Sequence, residues 1–417
     1  MKFKMFTRFS AIAVLTVFST IAGSANAAPK PFVIALPVSM TGGNAQVGQE
    51  LLTGLKIWQE MINNNTGLYA KRTLPKGLLG RKVKLVFDDD QSKSSLAGQL
   101  VTKYMTSDKA DFVLPPYGSG STSVVVPIFK QYNYALIGAS ASSESVFSSG
   151  YDNMVMGVPS SSKFLAGVPD IVTAANYTSV SFVTLDNPSS LDSEAYLTKN
   201  FSGRKITITG SQKFSFGNKD FTSIWTKVKA QNPDVVILSA FGGDAVTAMK
   251  QAAEQKISPK MWALFAGAWR NDVFNAGVGA GIAECVIGDS QWDPKLKTTG
   301  APEFFKAYKK LVKFDPITGP AGSDGSAAWG FGAGQLLTAA LDNLGEPALK
   351  NQMKIINYLK SGKVKEFVLG KYGVDARTGI NLVTEPSLFQ IQNGQRVTIS
   401  PAKSATGKVK LPCLPKG

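Results

Sequence analysis

The chain is expected to be an α/β protein built as two doubly wound parallel-sheet lobes, and three observations carry that expectation. Short apolar runs alternate with longer segments of helical period from Phe32 onward, the pattern of βαβ units. The alternation pauses near Met156 and starts again at similar size, with no Gly/Ser/Pro-rich linker between the two blocks. At 417 residues the chain is also too long for a single core, since domains run to about 150 residues.

The first 27 residues stand apart from the fold. Lys2, Lys4 and Arg8 make a basic start, and "AIAVLTVFSTIAG" (11–23) is a short apolar core. Ala25-Asn26-Ala27 then supplies a small-residue cleavage pattern before Ala28, which together reads as a secretory signal peptide over 1–27. The apolar core is shorter than the ~20 residues of a membrane span. The absence of a cysteine at the cleavage point argues against a lipid anchor there. An exported, soluble product is expected.

The elements follow in order. "PFVIALPV" (31–38) is a buried strand, and "VGQELLTGLKIWQEMINNN" (47–65) a helix with Leu51, Leu55, Trp58 and Ile62 on one face. "KVKLVFDDD" (82–90) is a strand, "SSLAGQLVTKYMTS" (94–107) a helix and "DFVL" a strand. A helix from about Thr122 and the strand "YALIG" complete the first block. The second block runs through "SVSFVTLD" (179–186), "RKITITGS", the helix "FTSIWTKVKAQ", "DVVILSAFGG", the helix "AVTAMKQAAEQ" and "MWALFAG". Pro302–Leu344 adds two helices that must pack on one of the lobes, and a Pro- and Lys-rich tail closes the chain.

Composition removes several classes of function. There is no histidine, which excludes Ser-His-Asp and Cys-His nucleophiles and histidine-based zinc sites. Cys285 and Cys413 permit one disulfide in an oxidising compartment, tying the tail to the body. The 45 Lys and Arg against 29 Asp and Glu give +16, or +13 once Lys2, Lys4 and Arg8 are removed. These charges are dispersed, so they read as a solvated surface with a weak bias toward anionic ligands. Export makes nucleic acid an unexpected partner.

The glycine clusters "TGGNAQVG" (41–48), "AGVGAG" (276–281) and "GFGAG" (330–334) miss the nucleotide-binding spacings and fit tight turns and close helix packing better. Asp88, Asp89 and Asp90 lie consecutively on a strand end, so their side chains alternate in direction and do not make one metal pocket. No cofactor and no metal are expected.

The candidate site lies elsewhere, in "PPYGSGSTSVVVP" (115–127) and "GASASSES" (138–145), two small-residue loops after successive strands. Open parallel sheets bind ligands at the carboxyl ends of their strands. Helix N-termini hold anions with unpaired N–H groups. Ser119, Ser121, Thr122, Ser140 and Ser142 therefore suit a carboxylate, although Ser and Thr there also serve as ordinary helix caps.

The sequence resembles the periplasmic solute-binding proteins of branched-chain amino-acid uptake systems, the leucine/isoleucine/valine-binding family. The likeness spans nearly the whole mature chain. It is carried by "IALPVSMTGGNAQVGQELLTGLKIWQEMIN", "LVFDDDQS", "GSGSTSVVVPIFKQYNYALIGASASSE", "DVVILSAFGGDAVTAMKQAAE" and "KYGVDARTG". The resemblance implies a type I periplasmic binding protein architecture, with three hinge crossings and two lobes that close on a ligand. The first lobe would take 28–156 and 291–366, the second 157–290 and 367–400, leaving 401–417 as a tail.

It also implies that Ser119, Ser140 and Ser142 hold the ligand's α-carboxylate and contribute to its ammonium site. Departures from the family pattern bear on the ligand. Val47 stands where relatives carry an aromatic residue, "NPSSLD" around Ser190 lacks their tyrosine, and Phe241 occupies a tyrosine position. The ammonium-binding glutamate is missing from "FAGAWRND", where Asp272 is the nearest acid. Phe241 and Trp269 are candidates to stack on the solute. The leading expectation is a monomeric periplasmic binding component, not an enzyme, that delivers a branched-chain-type amino acid to an ABC permease. The alternatives are an aromatic acid, amide or urea-like solute, or a ligand sensor for a receptor.

Overall fold

The computed structural model describes residues 29–269, 271–312, 314–315, 319–320 and 325–412, of which 271–272, 314–315 and 319–320 by backbone alone. The expected signal peptide 1–27 and Cys413 lie outside the described residues. Cys285 is half of a disulfide.

The first lobe opens with β1 (Phe32–Val38), α1 (Ala45–Asn64), β2 (Val83–Asp89), α2 (Ser94–Thr106), β3 (Phe112–Val113), α3 (Ser119–Gln131), β4 (Leu136–Gly138), α4 (Glu144–Phe147) and β5 (Met154–Met156). Its strands pair in parallel, in the order β2-β1-β3, with β4 and β5 as a separate parallel pair. β1 is buried on both faces, which is why "FVIALPV" is continuously apolar. β2 lies at an edge and alternates Lys84 and Leu85 accordingly.

The chain then crosses into the second lobe. It forms α5 (Val168–Ala174), β6 (Ser179–Leu185), α6 (Pro188–Ser202), β7 (Thr207–Phe214), α7 (Thr222–Gln231), β8 (Val235–Ser239), α8 (Gly242–Glu254) and β9 (Met261–Phe265). α9 (Asn271–Val278), α10 (Ala280–Ala283) and β10 (Ile287–Ser290) follow. After β10 it returns as α11 (Ala301–Leu311), β11 (Phe314–Asp315), β12 (Gly319–Pro320), α12 (Ser326–Leu344), α13 (Pro347–Lys350) and α14 (Met353–Lys360). The hairpin β13 (Glu366–Phe367) and β14 (Gly370–Lys371) precedes β15 (Ser387–Gln392) and β16 (Gln395–Ser400), which rejoin the second sheet. That sheet has seven strands in the order β16-β15-β10-β9-β8-β6-β7.

α12 packs lengthwise on α1. The two backbones approach so closely that a Cβ on Gly54 would strike the Ala327 carbonyl, and one on Gly330 the Leu51 carbonyl. Gly334 accommodates the Trp58 ring in the same way. The "GFGAG" run is therefore a helix-packing surface.

Three details depart from expectation. α3 begins at Ser119 rather than near Thr122, because Gly118 takes φ 80° and turns the chain early. The second sheet is not wholly parallel, since β15 runs antiparallel to β10 and β16. The segment after Phe367 does not enter the second lobe at once. Gly379 instead packs against β5, where its carbonyl accepts from Met156 N–H at 2.8 Å, and the second sheet is rejoined only at Ser387. No helix among the described residues is long and apolar enough to cross a membrane.

Candidate functional site

A cleft of about 170 Å³ opens between the lobes at the carboxyl ends of their strands. One wall is the start of α3. The first turn of a helix leaves its N–H groups without intrahelical partners. A Cβ placed on Gly118 or Gly120 would meet nothing within 4 Å, so the backbone there borders open space.

The serines beside them are arranged as donors. Ser119 Oγ accepts from the N–H groups of Ser142 and Ser143, each at 3.1 Å, which occupies both of its lone pairs. Ser140 Oγ accepts from Gly118 N–H at 3.1 Å. With both lone pairs taken, Ser119 has only its proton left to offer, whereas Ser140 keeps one acceptor site as well as its proton. Ser142 and Gly120 complete this end of the cleft.

The remaining walls are aromatic. Tyr117 and Trp329 come from the first lobe, and Phe164, Phe241, Phe265 and Trp269 from the second. Phe164 stacks on Phe265 with ring centroids 5.1 Å apart, and Phe241 tilts against Trp269 at 6.3 Å. Trp269 meets Trp329 edge-on at 5.3 Å, closing the box across the lobes. Such pairs hold one another in fixed orientation and present flat faces to a guest. Asn187 and Ser189 add polar groups from the start of α6, and Phe216 reaches over from the second lobe until its ring lies 2.6 Å from a Cβ built on Gly43.

The described lining carries no Lys, Arg, Asp or Glu. A carboxylate does stand behind it. Asp289 is fully buried, accepting from Ala266 N–H at 2.8 Å and from Trp269 Nε1–H at 2.6 Å. Burial pushes its pKa up to about 7, although these hydrogen bonds and the nearby Arg396 charge pull the other way. Its role is to fix the Trp269 indole.

The aspartates of the "DDD" run point apart. Asp88 accepts from Tyr104 Oη–H, Asp89 takes the N–H groups of Met40, Thr41 and Gln91, and Asp90 accepts from Ser39 Oγ–H. Asp89 and Asp90 brace the β1–α1 turn while Asp88 faces α2, so the three do not share a pocket.

Of the residues singled out in the sequence, Ser119, Ser121, Ser140, Ser142, Phe241 and Trp269 come together in the cleft, whereas Thr122 is buried below it with its hydroxyl donating to the Pro116 carbonyl. Val47 does not. It lines a smaller adjoining space of about 60 Å³, which shares Tyr117, Phe241 and Trp269 with the main cleft. The Asp272 side chain lies outside the described residues. Tyr117, Phe164, Trp329, Asn187 and Gln291 were not anticipated. Tyr117 directly precedes Gly118 and was legible by that adjacency, whereas the others arrive from distant segments.

Comparison with known proteins identifies the family and the fold. The family described as "Periplasmic binding protein" matches residues 31–395. An "Amino acid binding protein" of Pseudomonas aeruginosa is 23% identical over 361 residues, covering 85% of this chain and 88% of that one. Among solved structures, the branched-chain amino acid transporter substrate-binding protein LivJ from Streptococcus pneumoniae, in complex with isoleucine, superposes with a TM-score of 0.72. It is 22% identical over 89% of this chain and 100% of its own. An ABC transporter solute-binding protein from R. palustris in complex with benzoate gives a TM-score of 0.73, at 19% identity over 92% of this chain and 99% of its own.

Proposed function

Because the chain belongs to the periplasmic binding protein family, we propose that it is the solute-binding component of an ABC-type uptake system whose ligand is a small aromatic carboxylate. The observation that carries this reading is a cleft lined by hydroxyl donors at one end and aromatic rings elsewhere, with no charged side chain among its described lining. The carboxylate sits at the start of α3, taking the first-turn N–H groups and the Ser119 and Ser140 hydroxyl protons, with Ser142 beside them. Phe241 and Trp269 cover the body of the ligand, and Val47 bounds the neighbouring space.

Size and charge decide between ligand classes. An apolar cavity of roughly 150 Å³ takes up a benzene ring, so a space of about 170 Å³ suits one ring with its carboxylate. A zwitterionic amino acid would bury an ammonium, which costs several kcal/mol without a partner anion. The branched-chain amino-acid reading retains the support of the relatives' names and is the direct competitor. In either case the lobes, 28–156 with 291–366 and 157–290 with the later strands, close on the ligand. Binding shifts an open–closed equilibrium toward the form that docks on the permease.

Calorimetric titration of the ligand-stripped protein with benzoate, leucine, isoleucine and valine tests the reading. Benzoate is expected to bind and the three amino acids to bind at least tenfold more weakly. Ser119→Ala removes the donor and unpairs two backbone N–H groups, so it should weaken benzoate about ten- to a hundredfold. Tight binding of an aliphatic amino acid with no response to benzoate would overturn the aromatic assignment.

A further inference from the structure

The cleft contains two buried polar side chains that the carboxylate end does not use. Gln291 is 4% exposed and Trp329 is 2% exposed, and both line the cleft. Neither the Gln291 amide oxygen and nitrogen nor Trp329 Nε1 has a hydrogen-bond partner among the described residues. Buried polar groups are almost always paired, so three such atoms in one cleft mark a place where a polar group belongs.

Both residues stand beside the crossing between the lobes. Gln291 immediately follows β10 on the crossing between lobes and precedes Trp292. A Cβ built on Gly325 would stand 3.4 Å from Trp329 Nε1 and 3.3 Å from Trp292 Cβ, which brings the indole N–H to that same crossing. Gln291 also borders a second cavity of about 240 Å³ behind the hinge, so it forms the wall between the two spaces.

We propose that the ligand carries a ring hydroxyl and that Gln291 and Trp329 recognise it, an inference that rests on the aromatic-acid reading above. The donor count selects the group. The indole N–H and the amide NH₂ both require an acceptor, whereas the amide oxygen requires a donor. A hydroxyl is the smallest group that offers both, two acceptor lone pairs and one proton. A ring carbonyl or ether would leave the amide oxygen unpaired, and an alkyl substituent would leave all three unpaired. A carboxamide would satisfy them only by occupying more of a space that is already small. Gln291 and Trp329 are thus specificity-determining residues, and the hydroxyl touches the crossing about which the lobes turn.

The test is titration of the wild-type protein, Gln291→Leu and Trp329→Phe with benzoate, 3-hydroxybenzoate and 4-hydroxybenzoate. Each variant is first checked for folding by its thermal melt. At least one hydroxy acid should bind about tenfold or more tightly than benzoate, because a site built to hydrogen-bond rejects the analogue lacking the group. Both substitutions should remove most of that gap, read within each variant as the ratio of hydroxy-acid to benzoate affinity, whatever they cost benzoate itself. Gln291→Met supplies the same comparison if the leucine variant does not fold. Equal binding of benzoate and both hydroxy acids by the wild type, or variants that weaken all three alike, would overturn the inference and leave the aromatic-acid reading standing. If none of the three binds to folded protein while isoleucine does, the aromatic-acid reading fails and takes this inference with it.

Discussion

The indole of Trp269 is held from behind by a carboxylate that has lost contact with water, and this has a consequence for stability. Asp289 sits near pKa 7 in the fold because burial disfavours its charged form, whereas in the unfolded chain it titrates near the ordinary value of 3.8. Between about pH 4 and 7 the folded protein therefore holds a proton that the unfolded chain has released. By linkage, the contribution of Asp289 is fully present below the unfolded pKa and is lost as pH rises through the folded one. The expected loss is on the order of a few kcal/mol. Other carboxylates add slopes of their own, so the measurement is a comparison of urea midpoints for wild type and Asp289→Asn at pH 4.5 and 7.5. The wild type should lose stability across that interval by more than the variant does. Equal slopes would show that Asp289 is already ionised in the folded state. Nothing in the sequence singled out Asp289. Its significance depends on the Trp269 and Ala266 N–H groups meeting it across 20 and 23 residues, which is tertiary information.

At the scale of elements, the strands of the alternating pattern were legible because parallel strands buried on both faces are continuously apolar. β8 "VVILS" and β9 "MWALF" are buried at every position. The β15–β16 hairpin was missed although a signal for it was present. Asn393 and Gly394 both take positive φ, 55° and 74°, the turn that an Asn-Gly pair between two strands announces. The glycines of α12 carry a prediction of their own. Alanine is a better helix former than glycine by about 1 kcal/mol, so at an exposed position Gly330→Ala would stabilise. Here the added Cβ meets the Leu51 carbonyl, and stands 3.0 Å from Leu51 C and 3.1 Å from Leu55 N, all backbone atoms that cannot rotate aside. Overpacking of this kind costs about 1–3 kcal/mol, so the packing effect should win. A lowered urea midpoint for Gly330→Ala would confirm this sign, and a raised one would mean that α1 and α12 separate easily.

At the scale of the whole molecule, the proposed ligand site and the contact between lobes are linked by hydrogen bonds. Ser119 Oγ accepts from Ser143 N–H, and Ser143 Oγ–H donates to Asp192 on α6 of the opposite lobe at 2.6 Å. The same Asp192 oxygen accepts from Ser145 N–H at 3.0 Å and from its hydroxyl at 3.2 Å. A ligand that orders Ser119 therefore also steadies the loop on which Asp192 closes. Hydrogen bonds to a charged acceptor contribute about 1.5–3 kcal/mol when sheltered, and less here because Ser145 is exposed. Asp192→Ala touches neither the carboxylate end nor the aromatic walls, so it should change closure rather than recognition. Its expected effect is about a tenfold loss of ligand affinity, since apparent affinity falls with the fraction of closed form available. Small-angle scattering distinguishes the cause. The wild type should contract when saturated with ligand. The variant should reach the same compact form only at proportionately higher ligand concentration. Unchanged affinity in Asp192→Ala would mean that the closed form is held by the aromatic contact of Trp269 with Trp329 and by Phe216 over Gly43, with the serine–aspartate bridge following closure rather than driving it.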